Sequence, residues 1–307
     1  MTRALLQISL TSLTMICAAT RSGMVFSDDF SVPDAQWQGD AANPLFTGRR
    51  GRWDELIRER GWIMKDGDTW KLWYTGYNRQ RKPLTMKMGY ATSEDGISWK
   101  RWSDDPVFDE VWIEDMMIVR HNGRWFMFAE GKHDQPQLLE SDDGIHWERT
   151  GILDVRRENG ESIKPGPYGT PTVLIKDNVW HLFYERRDTG IWLARSTDRK
   201  VWTNVSDDPV IVPGPAAYDA LMIAMNQIVK IGDRYYAVLH GTGTPQKPRR
   251  WCTYFAESEN LVQWTKLARG PVLPVEANKS SGLVLHDGEG WRLYTMHAQV
   301  EVWFPAN

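Results

Sequence analysis

SEDGISW, Ser93 to Trp99, is the stretch that decides the fold, because it recurs as SDDGIHW (Ser141 to Trp147), STDRKVW (Ser196 to Trp202) and SENLVQW (Ser258 to Trp264). The Asp-Gly or Asp-Arg portion predicts a tight turn, and the Trp opens the next strand. Short Pro-containing segments accompany the turns: DPVF from Asp105, DPVI from Asp208, GPVL from Gly270 and, near the N-terminus, NPLF from Asn43. Pro withholds a ladder donor, so these pieces suit the outer edge of a small sheet. Between them lie five copies of a second element, an apolar strand, a turn and an aromatic-rich strand: GWIMKDGDTWKLWYTG, MMIVRHNGRWFMFAEG, PTVLIKDNVWHLFYER, NQIVKIGDRYYAVLHG and GLVLHDGEGWRLYTMH.

Alternating aromatic and aliphatic residues in runs this short predict strands, and no sustained helical period occurs after residue 30. Repeats of about 45 to 60 residues, each worth four strands, predict an all-β, five-bladed β-propeller of antiparallel blades. The fifth copy lacks its own Ser-to-Trp turn, so the N-terminal segment is expected to close the last blade. The expected organisation is a secretory signal peptide over 1–22 and one propeller domain over 23–307.

Composition narrows the partner. The 307 residues carry a formal net charge of -3 with both signs interspersed, which gives no basic stripe for nucleic acid and no polybasic membrane anchor. A neutral or polar partner fits better. Seventeen Trp serve mostly as packing between sheets, while flat aromatic faces also stack on sugar rings. The opening MTRALLQISLTSLTMICAAT has the layout of an export signal, one Arg, a mildly apolar run and small residues, and predicts a secreted or periplasmic protein. Ile16 ahead of Cys17 does not fit a lipoprotein signal. Once a signal is removed, Cys252 alone remains, so neither a disulfide framework nor a cysteine zinc site is available. Oligomeric state is unreadable.

Chemistry is expected where strands from separate blades meet at the axis. In an antiparallel hairpin the start of the first strand lies beside the end of the second. Five positions after the first aromatic of each second strand come Thr75, Glu130, Glu185, His240 and Met296, with His297 next to the last. The starts of the first strands carry WDELIRERGWI (Trp53 to Ile63) and FDEVWIEDMMI (Phe108 to Ile118), which align Glu59 with Glu114 and Arg60 with Asp115; YDALMIAMNQI adds Asp219 and Asn226. Carboxylates from several blades would therefore converge beside Arg60, Arg186 and imidazole nitrogens. Buried charge is costly unless paired, so such a cluster points to chemistry.

Two carboxyl groups facing one pocket are the equipment for cleaving a glycosidic bond, one giving a proton to the leaving oxygen and the other activating water or attacking the anomeric carbon. The working set read here is Glu59, Asp115 and Glu185. Arg60, Glu130, Arg186, Asp188, Asn226, His240 and His297 are read as substrate-binding or charge-adjusting. The residues also admit plainer roles: Glu130 and Glu185 as ion-pair partners of Arg60 and Arg186, His240 and His297 as core histidines, and Asp54, Asp109 and Asp219 as turn caps. No cofactor is required and no metal-ligand spacing stands out, although a structural calcium near the axis would need only oxygens and water.

KDGDTWKLWYTGYN with MGYATSEDGISW, WIEDMMIV with WFMFAEG, and GTPTVLI with WHLFYER together resemble the five-bladed β-propeller glycoside hydrolases. That broad group includes the invertase-like family 32, the arabinanase and xylosidase family 43, families 62 and 68, the neoagarobiose hydrolases of family 117 and the mannoside phosphorylases of family 130. The resemblance covers nearly all of the mature chain and implies a carbohydrate substrate. In such families an Arg-Asp-Pro or similar motif at the second inner strand holds the substrate and tunes the acid, and IEDMM aligns with it, which gives that role to Asp115. Where many members have Asp-Pro at the first inner strand this chain has Glu59-Arg60-Gly61, with Glu59 standing in as base or nucleophile. Where several have Glu, a small residue and Pro at the third, this chain has Gly169-Thr170-Pro171, so Glu185 takes the place of the acid, with His240 or His297 as other donors. The expected activity is that of an exo-acting glycosidase in polysaccharide or oligosaccharide degradation. Its alternatives are a non-catalytic carbohydrate-binding propeller and a phosphorylase, for which Arg60 and Arg186 would form the basic cradle.

Overall fold

Sequence repeats become five sheets in the computed structural model, which describes residue 32 and residues 34–164 and 168–306. The segment read as a signal peptide lies outside the described residues. The first strand, β1 (Trp37–Gly39), belongs to the last sheet. Blade one contains β2 (Leu56–Ile57), β3 (Trp62–Asp66), β4 (Thr69–Tyr77), β5 (Lys87–Ser93) and β6 (Lys100–Arg101). Blade two is β7 (Glu114–His121), β8 (Arg124–Gly131), β9 (Gln135–Ser141) and β10 (Glu148–Ile152). Blade three is β11 (Asp154–Arg156), β12 (Gly169–Lys176), β13 (Val179–Glu185), β14 (Ile191–Ser196) and β15 (Val201–Asn204), with β11 added parallel to the outer strand. Blade four is β16 (Met222–Ile231), β17 (Arg234–Thr242), β18 (Cys252–Ser258) and β19 (Thr265–Lys266). Blade five is β20 (Leu283–His286), β21 (Trp291–Met296) and β22 (Val300–Pro305), with β1 pairing antiparallel to β22, Trp37 opposite Pro305. The inner strands β3, β7, β12, β16 and β20 touch their neighbours in cyclic order and close the ring.

The repeated Ser-to-Trp unit turns the chain by side-chain bonding. Ser93 Oγ accepts the amide of Gly96 at 2.9 Å, and Asp95 Oδ1 accepts the amides of Ile97 and Ser98 at 2.7 Å each. Ser141 with Asp143, Ser196 with Asp198 and Ser258 with Asn260 repeat the pattern. Ser and Asx side chains supply acceptors that the turn amides would otherwise lack, which is why these residue types recur. Each turn is then sealed by aromatic residues: Trp73 Nε1 donates to the Gly144 carbonyl of the next blade at 2.7 Å, and Tyr294 Oη to Gly96 O at 3.0 Å. Trp70, Trp73, Trp125, Trp180 and Trp202 are buried between sheets, as expected for large apolar faces that sheets must hide from water.

Two expectations change. The Pro-containing segments do not form the outer strands, which follow the Trp; instead Phe108, Ile211 and Phe46 each make a single bridge to the third strand of a blade, at Met88, Ile191 and Val300. Asp54 and Asp219, read as turn caps, are fully buried ion-pair partners, Asp54 with Arg49 and Arg101 and Asp219 with Lys266, tying each entering loop to its blade's outer strand. Asp109 is exposed and pairs with Lys87 at 2.8 Å.

Candidate active site

The register that matters is an irregularity in the first half of the inner strands or just ahead of them, a positive φ, a bulge or both. Arg60, Asp115, Thr170 and Ser281 hold φ of 58°, 48°, 51° and 54°, and the ladders of blades two, three and four shift register across Asp115, across Thr170 and Pro171, and across Asn226. A bulge bends the strand and re-aims a side chain. Here the five residues Arg60, Asp115, Thr170, Asn226 and Ser281 come from five different blades. Positive φ at a β-branched residue such as Thr170 is strained by roughly 1–3 kcal/mol, and such strain persists where surrounding structure enforces it.

Asp115, Thr170 and Ser281 line a cavity of about 250 Å³ together with Glu59, Glu130, Glu185, Asp188, His240 and His297. Of the ten residues predicted for the site, these seven converge: Glu59, Asp115, Glu130, Glu185, Asp188, His240 and His297. Arg60 does not line the cavity. Its side chain is sealed behind it, with Nη1 donating to Asp115 O at 2.8 Å and Nη2 to Pro171 O, Thr172 Oγ1 and Met225 O at 2.9, 2.8 and 3.0 Å. Its backbone amide donates to Met296 O at 3.1 Å, so one residue bonds to all four other blades. Arg186 is absent from the lining as well, its guanidinium lying 5.7 Å from the centre of the Trp192 ring. Asn226 is one layer back, its Oδ1 2.7 Å from His240 Nδ1. The basic cradle expected of Arg60 and Arg186 is therefore not formed by them; Arg58, Arg187 and Arg249 line the cavity instead.

Carboxyl groups crowd one another here. Glu130 Oε2 accepts the Thr170 amide at 3.1 Å, and Thr170 Oγ1 lies 3.5 Å from Asp115 Oδ2. Gly169 permits the crowding, since a Cβ at that position would strike both Glu185 Oε1 and Glu130 Oε2. We expect Gly169→Ala to lower activity at least tenfold, because the added methyl must displace one carboxyl or the other; wild-type kinetics with an intact fold by circular dichroism would contradict this.

Burial and mutual repulsion raise the pKa of four of these acids. Burial, reinforced by Asp188, Asp134 and Asp115 against the bond from the Asp188 amide, pushes Glu185 up to about 8. Asp115 is pushed up to about 7 by burial, with Arg58 and Arg60 opposing and Glu114 and Glu59 adding to the rise. Asp188 reaches about 6 through burial and Asp134, with Arg249 opposing. Glu130 is raised well above the usual range, by burial and then by Asp115 and Glu114. Arg58 goes the other way: burial disfavours its charge, yet Asp115, Glu59 and Glu114 hold its pKa above the ordinary value. Its Nη1 pairs with Glu59 and its Nε with Glu114, each at 2.7 Å.

Both imidazoles are neutral. Burial, then Arg60 and His297, drives His240 down to about 3, and burial also lowers His297. Asn226 Oδ1 lies 2.7 Å from His240 Nδ1 and fixes the orientation of the ring. His297 Nδ1 is 2.7 Å from Ser280 Oγ. Trp251 meets the His240 ring edge-on at 5.3 Å. Among the described residues no group of three or more His, Cys, Asp or Glu is arranged to hold a metal ion.

Sequence reading missed Thr170 and Ser281, although the alignment that paired Arg60 with Asp115 continues to both. Asp134, Arg187, Arg249 and Trp251 arrive from loops between the second and third strands, where no register relates one blade to another.

No model of a known protein family matches the chain. It is 27% identical over 201 residues to an uncharacterized protein of Mycobacterium tuberculosis, covering 59% of this chain and 66% of that one. It is 28% identical over 167 residues to a protein named 1,2-beta-oligomannan phosphorylase from a Thermoanaerobacter species, covering 50% and 52%. The chain thus spans less than two thirds of the length of these curated relatives, 66% and 52%. Among solved structures, a glycosyl hydrolase from Bacteroides ovatus superposes with a TM-score of 0.73 at 15% identity, over 89% of this chain and 95% of that one. A β-1,2-mannobiose phosphorylase from Listeria innocua, in complex with β-1,2-mannobiose, gives 0.66 at 14% over 87% and 95%. The fold is that of the five-bladed propeller glycoside hydrolases and phosphorylases. At these identities the likeness is one of architecture, and chemistry has to come from the cavity.

Proposed function

We propose that this propeller cleaves a glycosidic bond in the axial cavity, transferring the released sugar to water. The observation that carries the reading is a pair of acids in opposite settings on one small cavity: Glu185, pushed up to about 8 and so protonated at neutral pH, and Glu59, ion-paired with Arg58 at 2.7 Å. A proton donor and a second carboxyl group held by a guanidinium on the same cavity are what acid and base roles require. Glu185 gives its proton to the glycosidic oxygen as that bond breaks. Glu59 faces the developing positive charge on the ring and takes a proton from the attacking water, or bonds to the anomeric carbon first. Asp115, bonded through Thr170 to the Glu130 side, orients the sugar. Hydroxyl groups find hydrogen-bond partners on His240, Ser280, Ser281 and Asp188, which line the cavity. The reaction calls for no cofactor, because proton donor and base are both side chains. Export, read from residues 1–22, belongs to the same proposal.

Phosphate as acceptor is the second reading, favoured by Arg58, Arg187 and Arg249 on the wall and by the names of the phosphorylases above. Water is preferred because Glu59 stands on the cavity wall beside the acid Glu185 and can take a proton from an attacking water, a base that phosphate as acceptor does not need. The two are separated by incubating the protein with a panel of oligosaccharides, β-1,2-mannobiose included, with and without inorganic phosphate. Free reducing sugar released at a rate within about twofold in both conditions is the expected result. A sugar 1-phosphate formed only when phosphate is present makes phosphorolysis the activity, and no release from any substrate removes catalysis altogether.

A further inference from the structure

The cavity is not the only depression on its face of the propeller. A second one, of about 440 Å³, lies between blades one and two. The turn joining β8 to β9 separates them, with Asp134 lining the cavity and Lys132 lining the depression. Its central feature is Trp112, a half-buried indole fixed at both ends: Nε1 donates to Glu114 Oε1 at 2.6 Å, and the backbone carbonyl accepts Gln137 Nε2 at 2.7 Å. Gln137 Oε1 in turn accepts Arg149 Nε at 2.7 Å, while Glu114 pairs with Arg58 and Arg58 with Glu59. One continuous run of bonds therefore connects the wall of the depression to an acid of the axial cavity. Leu84 and Ile152, the latter 43% exposed, add apolar surface, and Lys132, Glu110 and Arg149 add long polar side chains.

Immobile aromatic surface beside apolar patches, with polar side chains to meet hydroxyls, suits the C–H face and equatorial oxygens of a sugar ring. Size argues in the same direction. Small-molecule sites run from roughly 300 to 1,000 Å³, so an axial cavity of about 250 Å³ takes a single sugar unit and leaves the remainder of a longer chain on this face. We infer that the depression at Trp112 is a second carbohydrate-binding site, holding a distal unit of the same oligosaccharide whose end occupies the axial cavity. The inference rests on the carbohydrate reading of that cavity.

The test is calorimetric titration of Glu185→Gln protein, which should bind without turnover, with disaccharides and tetrasaccharides of the β-1,2-mannan, xylan and arabinan series. In the series that binds, the tetrasaccharide is expected to bind about tenfold more tightly than the disaccharide. Adding Ile152→Arg, which sends a long side chain into the depression while leaving Trp112 and Glu114 themselves unchanged, should erase that gain and leave disaccharide affinity within about twofold. Trp112→Ala should also weaken the tetrasaccharide, with thermal melts confirming that each variant is folded. Equal affinities for the two lengths, or a length gain that survives Ile152→Arg, overturns the second site while sparing the first. Binding of no sugar at either length overturns both.

Discussion

Glu185→Gln is expected to lower kcat by about 10²–10⁴, the usual contribution of a positioned general acid, and at the same time to stabilise the protein at alkaline pH. The two effects have one cause. Burial raises Glu185 from 4.5 to about 8 in the folded state, so between those values the folded protein holds a proton that the unfolded chain has released. Stability from this group is fully present below pH 4.5 and is lost as pH climbs through 8. Gln does not titrate, and it keeps a carbonyl oxygen to accept the Asp188 amide. The difference in melting temperature between variant and wild type should therefore be near zero at pH 4.5 and reach roughly 10 °C in the variant's favour by pH 9, from a gain on the order of 5 kcal/mol. Thermal melts across that range, paired with rates on a cleaved substrate, check both halves. Full activity in the variant rules Glu185 out as the proton donor. A flat stability difference rules out its protonated, buried state.

Arg60→Met should be the most destabilising single change near the axis. Only 2% of Arg60 is exposed, and its guanidinium is bonded to Asp115 O, Pro171 O, Thr172 Oγ1 and Met225 O. Methionine fills comparable space without a donor, which takes the guanidinium bond from the buried Asp115 and Pro171 carbonyls and leaves Met225 O with Thr172 Oγ1. It also removes the positive charge that partly offsets Asp115, Glu130 and Glu185, although burial itself lowers Arg60 to about 10. Breaking a buried polar arrangement by deleting one partner costs about 3–5 kcal/mol, which corresponds to a fall of roughly 10 °C in melting temperature. Arg60→Lys should recover little of it, since an ammonium cannot present two nitrogens to carbonyls on three different blades. A loss under about 1 kcal/mol in Arg60→Met would show that the blades are held by packing alone.

Arg60 also illustrates where reading the sequence stopped. Its alignment with Asp115 was legible because both stand at the same offset from the Ile of an apolar strand, and the structure gives both a positive φ. The alignment carries no information on direction. Asp115 ends with a carboxyl on the cavity, whereas the longer Arg60 side chain runs behind it to carbonyls of other blades. Glu130, Glu185 and His240 were found because the axial end of each second strand lies five positions after its first aromatic. Arg58, one residue from the predicted Glu59, was passed over, since a surface-like Arg in a charged loop gives no sign that Glu59 and Glu114 hold it on both sides. Arg249 and Trp251 lie in the loop between β17 and β18, whose length and sequence follow no repeat shared with the matching loops of the other blades.

Repeats, turn chemistry and strand alternation are local properties, decided within a dozen residues by hydrogen bonding and hydrophobic period, so the sequence by itself determined five blades and the end of each hairpin that faces the axis. The protonation of Glu185, the placing of Arg60 behind the cavity and the company of Arg58 were decided only by the tertiary structure. Burial and electrostatic interaction depend on which groups from other blades arrive within a few ångströms, and the distance along the chain says nothing about that.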